Sequence, residues 1–245
     1  KTFFKTHHVD VLHNHITNYG VFHHLIARSH GVKIRIAHMR SAEFGLGFSG
    51  IVKRFMSAPV KYVVTHRLAV SHEAGIKLYK NKPFEVMPNA INMHDFRYDA
   101  KLKQQFMEKH HLNGDLIWGH VGRFSKEKNH SFLIDLFKAF HDDHPQSQLW
   151  LVGEGPLKED IQAYVHHQKL ESSVVFIPSL PNIHAFLCAI DVLVFPSLFE
   201  GMPGVVIEAQ AASTPVVMSQ NITKDVVFTD FVKSCDLSLI DPCLE

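Results

Sequence analysis

Residues 195–209 read FPSLFEGMPGVVIEA, an apolar strand-like ending followed by a loop and by a helix that starts near Pro203. Glu200 lies in the loop and Glu208 lies eight positions later, a turn or so into the helix. Open α/β folds bind ligands at the carboxyl ends of their strands, so both carboxylates can face that edge. A carboxylate accepts hydrogen bonds from two neighbouring sugar hydroxyls, and its charge strengthens both bonds. The pattern therefore predicts a sugar or nucleotide site, with two solvated surface glutamates as the alternative.

The backbone between these glutamates suits an anion or a sugar hydroxyl. The first N–H groups of a helix have no partner inside the helix and point at whatever precedes it. Glu208 suits a ribose diol, and Glu200 suits a sugar that is transferred. The neighbouring residues expected to contribute to the same ligand site are Gly201, Met202, Pro203, Gly204 and Val205.

A second loop carries cations. Residues 119–130 read GHVGRFSKEKNH, in which a strand ends at Gly122 and both Arg123 and Lys128 precede the next helix. Arg offers a planar fork of donors and Lys a compact charge, so the pair can clamp a diphosphate whose negative charge grows as a glycosidic bond breaks. Two solvated surface cations are the alternative, and Lys126 is interpreted as such a residue.

A third loop has the sequence LVGEGPL, residues 151–157. A strand runs into Gly153, Glu154 and Gly155 ahead of a helix, and glycines there let a backbone approach a ligand closely. A plain strand-to-helix turn uses the same residues.

From residue 115 onward, apolar runs alternate with amphipathic segments, which predicts βα units and a parallel sheet. An amphipathic helix is expected over 132–140, capped by Asn129 or Ser131, and Pro156 and Pro203 are expected to begin later helices. The five predicted strands are Leu116–Val121, Leu149–Val152, Val174–Ile177, Val192–Phe195 and Val216–Met218.

The first part of the chain is also α/β, with a Gly-rich loop at Glu43–Gly50. We predict one domain over residues 1–95, a polar linker over 96–114 and a second domain over 115–245. The strands expected in the first part are Val9–Leu12, Val32–Ala37, Tyr62–Val64 and Phe84–Met87.

The amino-acid composition limits the classes of protein to which the chain can belong. The 245 residues are 46% hydrophobic and 20% charged, as in a globular protein, and the net charge of +1 gives no electrostatic footprint for nucleic acid. Three cysteines, Cys188, Cys235 and Cys243, provide neither a disulfide framework nor a paired metal spacing. The sequence has no apolar run long enough to predict a membrane span and no secretory leader, so a cytoplasmic protein is expected. The start at Lys1 and the end at Glu245 suggest a fragment.

Taken in order, VGRFSKEKNH, LVGEGPL and PSLFEGMPGVVIEAQA resemble the donor domain of retaining glycosyltransferase family 4. The segments RIAHMRS, AVSHEAG, VMPNAINMHDF and SQNITKDV resemble bacterial exopolysaccharide or capsule glycosyltransferases of that family. The resemblance implies a GT-B fold of two Rossmann-like domains with parallel sheets. It further implies an incomplete acceptor-side domain first and a nucleotide-sugar domain second, without the family's N-terminal Gly-rich loop and final helices. Ala90 and Ser213 stand where glycine is usual in the family.

The resemblance also implies roles. Arg123 and Lys128 would hold the diphosphate, Glu208 the ribose, and Glu200 with the following loop the donor sugar, in a cleft between the domains. Residues 177–180 would lie near the base, and Asn89 would mark the exit from the first domain.

Histidines are the remaining candidates. By the same resemblance His38, at the end of RIAH, would face the donor sugar, and His15 is a candidate for the acceptor side. With 20 histidines in the chain, packing or surface roles are common. His13 and His15 could suggest a metal, but no third ligand is in view, so no metal is predicted.

The predicted function is transfer of a sugar from a nucleotide diphosphate-sugar, a UDP-sugar by resemblance, to a saccharide or lipid-linked acceptor with retention. It would serve exopolysaccharide or capsule synthesis at the inner membrane face and would require no cofactor. A GT-B epimerase or phosphorylase is a rival that the glutamate pair with Arg and Lys disfavours. The other alternative is a non-catalytic fragment or the decayed remnant of an enzyme, acting as a nucleotide-binding module or as a partner of another transferase.

Overall fold

The computed structural model describes residues 2–15, 20–40, 47–110 and 116–238. The chain divides into two compact units, one of residues 1–90 with 200–202 and the other of residues 91–199 with 203–245. Each unit holds a parallel sheet, which confirms the α/β class. Cys243 and part of the Gly-rich loop at Glu43–Gly50 lie outside the described residues. None of the described helices is long and apolar enough to cross a membrane.

The first unit has a four-stranded parallel sheet in chain order. Its strands are β1 (Val11–Asn14), β2 (Ile34–Met39), β3 (His66–Ala69) and β4 (Glu85–Val86). Its helices are α1 (Thr2–Thr6), α2 (Gly20–Ser29), α3 (Gly47–Ser57), α4 (Val60–Val63) and α5 (His72–Tyr79).

The predicted strand Tyr62–Val64 is wrong, because this apolar run ends helix α4 and the strand follows at His66. Val60 and Val64 pack against Val21 and Ala37, so the valines fill the core from a helical turn. The guanidinium of Arg67 donates to the Lys61 carbonyl from Nε at 2.9 Å. The strand β3 begins with the polar residues His66 and Arg67, whereas the neighbouring valines lie in and directly after helix α4, the reverse of the predicted assignment.

The second unit has a six-stranded parallel sheet in the order β10-β9-β8-β5-β6-β7. The strands are β5 (Leu116–Val121), β6 (Ser147–Val152), β7 (Val174–Ile177), β8 (Val192–Phe195), β9 (Val216–Ser219) and β10 (Val232–Cys235). The helices are α6 (Ala100–Lys109), α7 (His130–Asp143), α8 (Lys158–His167), α9 (His184–Ala189) and α10 (Gly204–Ala211).

All five strands predicted for this part are confirmed, and β10 is an addition. Helix α7 begins directly after Asn129, whose φ of 57° places it in the left-handed region. Helix α8 begins at Lys158 rather than at Pro156, because the Leu157 N–H donates to the Phe124 carbonyl at 3.1 Å and holds the chain in the preceding loop. Helix α6 lies in the stretch predicted as a linker, so the exact domain boundary stays a prediction.

The strand order of the second unit reverses at β5. Strands β6 and β7 extend the sheet on one side of β5, and β8, β9 and β10 extend it on the other. This is the order of a dinucleotide-binding Rossmann sheet, in which ligands bind outside the carboxyl ends of the strands where the order reverses. The fold therefore places the loops after β5, β6 and β8 at a ligand-binding edge.

Candidate nucleotide-sugar site

A cavity of about 390 Å³ opens in the second unit at the carboxyl ends of β5, β6 and β7. Four residues predicted to bind the donor line it, and Ser179 and Leu180 are from the segment predicted to lie near the base. The full lining is Val121, Gly122, Arg123, Val152, Gly153, Glu154, Ser179, Leu180 and Ile183. The structure therefore brings the second and third loops of the sequence analysis to one concave surface.

Gly153 sits where a side chain has no room. Its φ is 150°, and an added Cβ would lie 2.0 Å from the Gly122 carbonyl oxygen. The Gly153 N–H donates to the Ile177 carbonyl at 3.1 Å, and the Gly122 N–H donates to the Val152 carbonyl at 3.0 Å. These contacts hold the ends of three strands at a close spacing, which leaves backbone rather than side chains facing the cavity.

The loop after β5 reaches the end of β8. The Lys128 ammonium lies 4.5 Å from the centroid of the Phe195 ring. The Leu198 N–H donates to the Glu127 carbonyl at 2.8 Å. Arg123, on the same loop, is exposed and so can meet an anion in solvent. The two cations predicted to hold a diphosphate thus lie on a loop that is anchored at the point where the strand order reverses.

His120 and His130 lie at the base of this loop, and the sequence analysis gave them no role. The His120 ring is fully buried, and its Nδ1 lies 2.9 Å from the Val194 carbonyl, so this nitrogen carries the proton. Burial and, to a smaller extent, the nearby Lys128 charge together lower the pKa of His130 to about 4. The His130 ring stacks on Phe124 with centroids 4.4 Å apart. Both histidines are therefore neutral packing groups beneath the cationic loop.

Glu208 is positioned by helix α10. Its half-buried carboxylate lies back over the first turn, where an added Cβ on Gly204 would be 3.7 Å from Oε1. Burial raises the pKa of Glu208 because its charged form loses water. Pro203 is the cap residue, so the first helical N–H groups begin at Gly204 and Val205. The carboxylate and these N–H groups form a mixed set of acceptor and donors, as a ribose and its phosphate require.

The remaining residues of the glutamate loop belong to the first unit. Glu200, Gly201 and Met202 group with residues 1–90, and Glu200 is half-buried. The Asn89 side-chain amide donates to the Met202 carbonyl at 2.7 Å. The structure therefore assigns the two predicted glutamates to different units.

Two outcomes concern single residues. The Glu154 carboxylate pairs with Lys158, whose ammonium lies 3.0 Å from Oε1, and the Phe124 N–H donates to the Glu154 carbonyl at 3.0 Å. Glu154 therefore shapes the loop through its backbone.

Ser213, which replaces a glycine usual in the resembled family, has a φ of 60°. The left-handed turn is retained with a side chain that rarely adopts it.

Three histidines converge in the first unit. His13 and His15 are exposed, His38 is buried, and one ring nitrogen from each lies within 4.8 Å of the others. The expectation that no third ligand accompanies His13 and His15 is wrong, because β1 and β2 run side by side and bring His38 to them. Burial and, to a smaller extent, the neighbouring His15 together lower the pKa of His38 to about 4, so the ring is neutral at physiological pH.

Comparison with protein families gives one model that matches more than half of the chain. Residues 103–236 match the model described as glycosyl transferases group 1. This range covers the six strands of the second unit, the loop that carries Arg123 and Lys128, and helix α10 with Glu208.

Individual proteins show the same similarity. EpsF of Bacillus subtilis (strain 168), which carries the name of a glycosyltransferase, is 32% identical over 228 residues, covering 88% of this chain and 58% of EpsF. The UDP-Gal:alpha-D-GlcNAc-diphosphoundecaprenol alpha-1,3-galactosyltransferase of Escherichia coli is 26% identical over 230 residues, covering 86% of this chain and 57% of that protein. The chain thus spans less than two thirds of the length of these relatives.

Among solved structures, Anabaena HepE in complex with UDP-glucose superposes with a TM-score of 0.83 at 16% identity. The superposition covers 96% of this chain and 69% of HepE. The sucrose-phosphate synthase of Thermosynechococcus elongatus gives a TM-score of 0.80 at 20% identity, over 96% of this chain and 62% of that one. These likenesses confirm the GT-B fold that the sequence predicted.

Proposed function

The chain belongs to the glycosyl transferases group 1 family, and we propose that it binds a UDP-sugar and serves transfer of its hexosyl group to a saccharide or lipid-linked acceptor. We place this reaction in the synthesis of a bacterial surface polysaccharide. The choice of donor is supported by two similar proteins. The name of the E. coli relative includes UDP-Gal, and HepE was solved in complex with UDP-glucose.

The observation that carries the proposal is the cavity at the carboxyl ends of β5, β6 and β7. Its walls combine glycine backbone at Gly122 and Gly153 with the apolar side chains of Leu180 and Ile183. The flat base of a nucleotide requires apolar walls, and its phosphates require nearby backbone and cations at one end of the cavity. The cavity offers both on one sheet edge, as nucleotide sites in Rossmann sheets do.

In the proposed complex, Arg123 and Lys128 bind the diphosphate and Glu208 accepts hydrogen bonds from the two ribose hydroxyls. The N–H groups of Gly204 and Val205 add donors at the start of α10. The Gly153 and Glu154 backbone completes the wall. These groups stabilise the charge that appears on the leaving diphosphate, so no obligatory metal ion is required.

We propose transfer with retention. The bond from the anomeric carbon to the diphosphate oxygen breaks, and the acceptor oxygen forms its bond on the same face. The departing phosphate oxygen takes the acceptor proton, so no protein nucleophile is needed. The electron pair of the broken bond leaves with UDP, where Arg123 and Lys128 meet the added charge.

Five residues of the first unit receive proposed roles in the same reaction. Glu200, with the following Gly201 and Met202, contacts the hydroxyls of the donor sugar. His38, whose ring is neutral, faces the donor sugar and can exchange hydrogen bonds with it without adding charge. His15, exposed at the end of β1, is the candidate on the acceptor side.

Nucleotide binding is tested by thermal unfolding of the chain with UDP, GDP and ADP. A ligand at about 100 times its dissociation constant stabilises the folded state by roughly 2.7 kcal/mol. We expect a shift for UDP that Glu208→Ala and Arg123→Ala each abolish and that Lys126→Ala, on the same loop, leaves unchanged. Equal shifts in all four proteins would contradict the assigned site.

Transfer is tested separately from binding. The protein is incubated with radiolabelled UDP-sugars and undecaprenol-linked acceptors, and labelled lipid is counted. Label that depends on Arg123 and Glu208 supports the enzyme. UDP binding without any transfer, across a panel of UDP-hexoses, would instead select the nucleotide-binding module that the sequence left as an alternative.

A further inference from the structure

We propose that His13, His15 and His38 form a binding site for a divalent transition metal ion of the zinc class. The three side chains each offer a ring nitrogen, and these nitrogens lie within 4.8 Å of one another. All three residues belong to the first unit, whereas the cavity is lined by residues of the second.

The parallel pairing of β1 and β2 creates the cluster. His13 is the register partner of Ile36, and Asn14 is the register partner of Ala37. The next residue of the chain after each member of this last pair is His15 and His38, respectively. Because alternate strand residues share a face, His13, His15 and His38 project from the same face of the sheet. Their ring centroids lie between 4.3 and 5.5 Å apart.

His38 is held as a metal ligand would be. Its Nε2 lies 3.3 Å from the Met87 carbonyl, so Nε2 carries the proton and donates it. The other ring nitrogen, Nδ1, is buried and has no hydrogen-bond partner among the described residues. Metal-bound histidines commonly donate their second nitrogen to a backbone carbonyl, which fixes the ring and frees the lone pair of the first. A buried lone pair without a partner is costly, and a metal ion would satisfy it.

The donor set decides the class of metal. Three neutral imidazoles suit Zn²⁺, Co²⁺, Ni²⁺ or Cu²⁺, whereas Mg²⁺ and Ca²⁺ prefer oxygen ligands. Tetrahedral zinc with bonds of 2.0–2.1 Å needs nitrogens about 3.4 Å apart. His13 and His15 are exposed and can close that difference by rotating. A fourth position would remain for water.

Arg40 limits the expected affinity. Its charge is close enough to interact with the rings of both His15 and His38. The same charge repels a divalent cation. We therefore expect zinc to bind more weakly than at a structural site with four ligands. Because His38 has a proposed role toward the donor sugar and His15 toward the acceptor, metal bound there would compete with both substrates rather than serve as a cofactor.

Calorimetric titration of the chain with Zn²⁺, without nucleotide, tests the site, and its outcome does not depend on whether the chain transfers sugar. The key protein is the double variant His13→Asn and His15→Asn, which changes two exposed rings. The matched control is His166→Asn with His167→Asn, two exposed histidines at the end of α8. Circular dichroism checks that each variant is folded.

The expected result is one zinc per chain, with affinity reduced by about tenfold or more in the first double variant and unchanged in the control. Co²⁺ should give visible absorption bands that are lost in the same variant. The proposal would be overturned if the wild-type chain bound zinc no more tightly than the His13/His15 variant does.

Discussion

In the second unit, fourteen buried residues form one continuous apolar cluster that includes Trp118, Phe137 and Leu151. In the first unit, a described cluster joins the small side chains of Val21, Ala37, Val60 and Val64. Most of the largest fully buried side chains that the structure describes belong to the second unit. Among the described residues, the second unit therefore has the larger buried apolar volume.

Tyr79 shows what a polar contact does in the first unit. Its buried hydroxyl lies 2.7 Å from the Ala37 carbonyl and 3.0 Å from the Leu68 carbonyl, so it links β2 to β3. Burial raises its pKa, which keeps the hydroxyl protonated. His24 and His38 are also buried in this unit. The nucleotide cavity therefore lies in the unit with the larger described apolar cluster, whereas the histidine cluster lies in a unit where a buried hydroxyl also links two strands.

The largest expected effect is in the apolar cluster. Leu133→Ala, at a fully buried position, should lower the free energy of unfolding by about 3 kcal/mol through lost burial and a cavity. Both tryptophans, Trp118 and Trp150, are buried in the second unit, so their fluorescence in urea reports on it alone. The control Leu25→Ala, at a position that is 44% exposed in the first unit, should leave that transition unchanged. Equal shifts of the tryptophan transition in the two variants would contradict the difference between the units.

The second effect concerns the cavity wall. Gly153→Ala should cost about 2 kcal/mol and reduce UDP affinity by more than about tenfold, because the added Cβ meets the Gly122 carbonyl. Gly31→Ala is the matched control, since Gly31 has a φ of 83° but open space around it. It should cost about 1 kcal/mol and leave UDP affinity unchanged. Calorimetry with UDP separates the two, and similar affinities would refute the close-packed wall.

A third change tests the polar link of the first unit. Tyr79→Phe should destabilise that unit by about 1 kcal/mol, because two buried carbonyls lose a shared donor. Amide hydrogen exchange should speed up in β2 and β3 while tryptophan fluorescence stays constant. Tyr62→Phe, at a ring that is 66% exposed, is the control and should do neither. Faster exchange throughout both units would contradict the separation.

The smallest expected effect is that of Glu208→Gln, which should not lower the stability of the free chain but should weaken UDP binding. Burial raises the pKa of Glu208, so the folded state favours its protonated form. Its ionisation therefore removes stability as pH rises from the ordinary glutamate value, about 4.3, through the raised value. Glu208→Gln should leave the free chain equally stable or up to about 1 kcal/mol more stable at pH 7 while weakening UDP binding. Glu159→Gln, on the exposed side of α8, should change neither.

The sequence was most informative where strands are buried on both faces. Strands such as Leu149–Val152 and Val192–Phe195 are continuous apolar runs, and both predictions are confirmed. β10 has the sequence VKSC, in which Lys233 and Ser234 are exposed, so no apolar pattern marks it. In the first unit β3 begins with His66 and Arg67, and hydropathy instead favoured the neighbouring valines of α4.

The candidate sites differ in the same way. Gly122, Arg123 and Gly153 follow directly after readable strands, so their meeting at one sheet edge could be predicted. The link between His13, His15 and His38 depends on the register of β1 and β2, which are 23 residues apart at His15 and His38. No local pattern encodes that register. His120 and His130 were likewise hidden, because their burial comes from the packing of α7 on the sheet.

Amide hydrogen exchange with and without UDP tests the location of the nucleotide site most directly. With UDP bound, we expect slower exchange in residues 121–124, 152–155, 178–183 and 204–208, with little change in β2 and β3. Calorimetry on the same sample confirms that the nucleotide is bound. Unchanged exchange in all four segments of a UDP-saturated chain would contradict a donor site at the carboxyl edge of the second sheet.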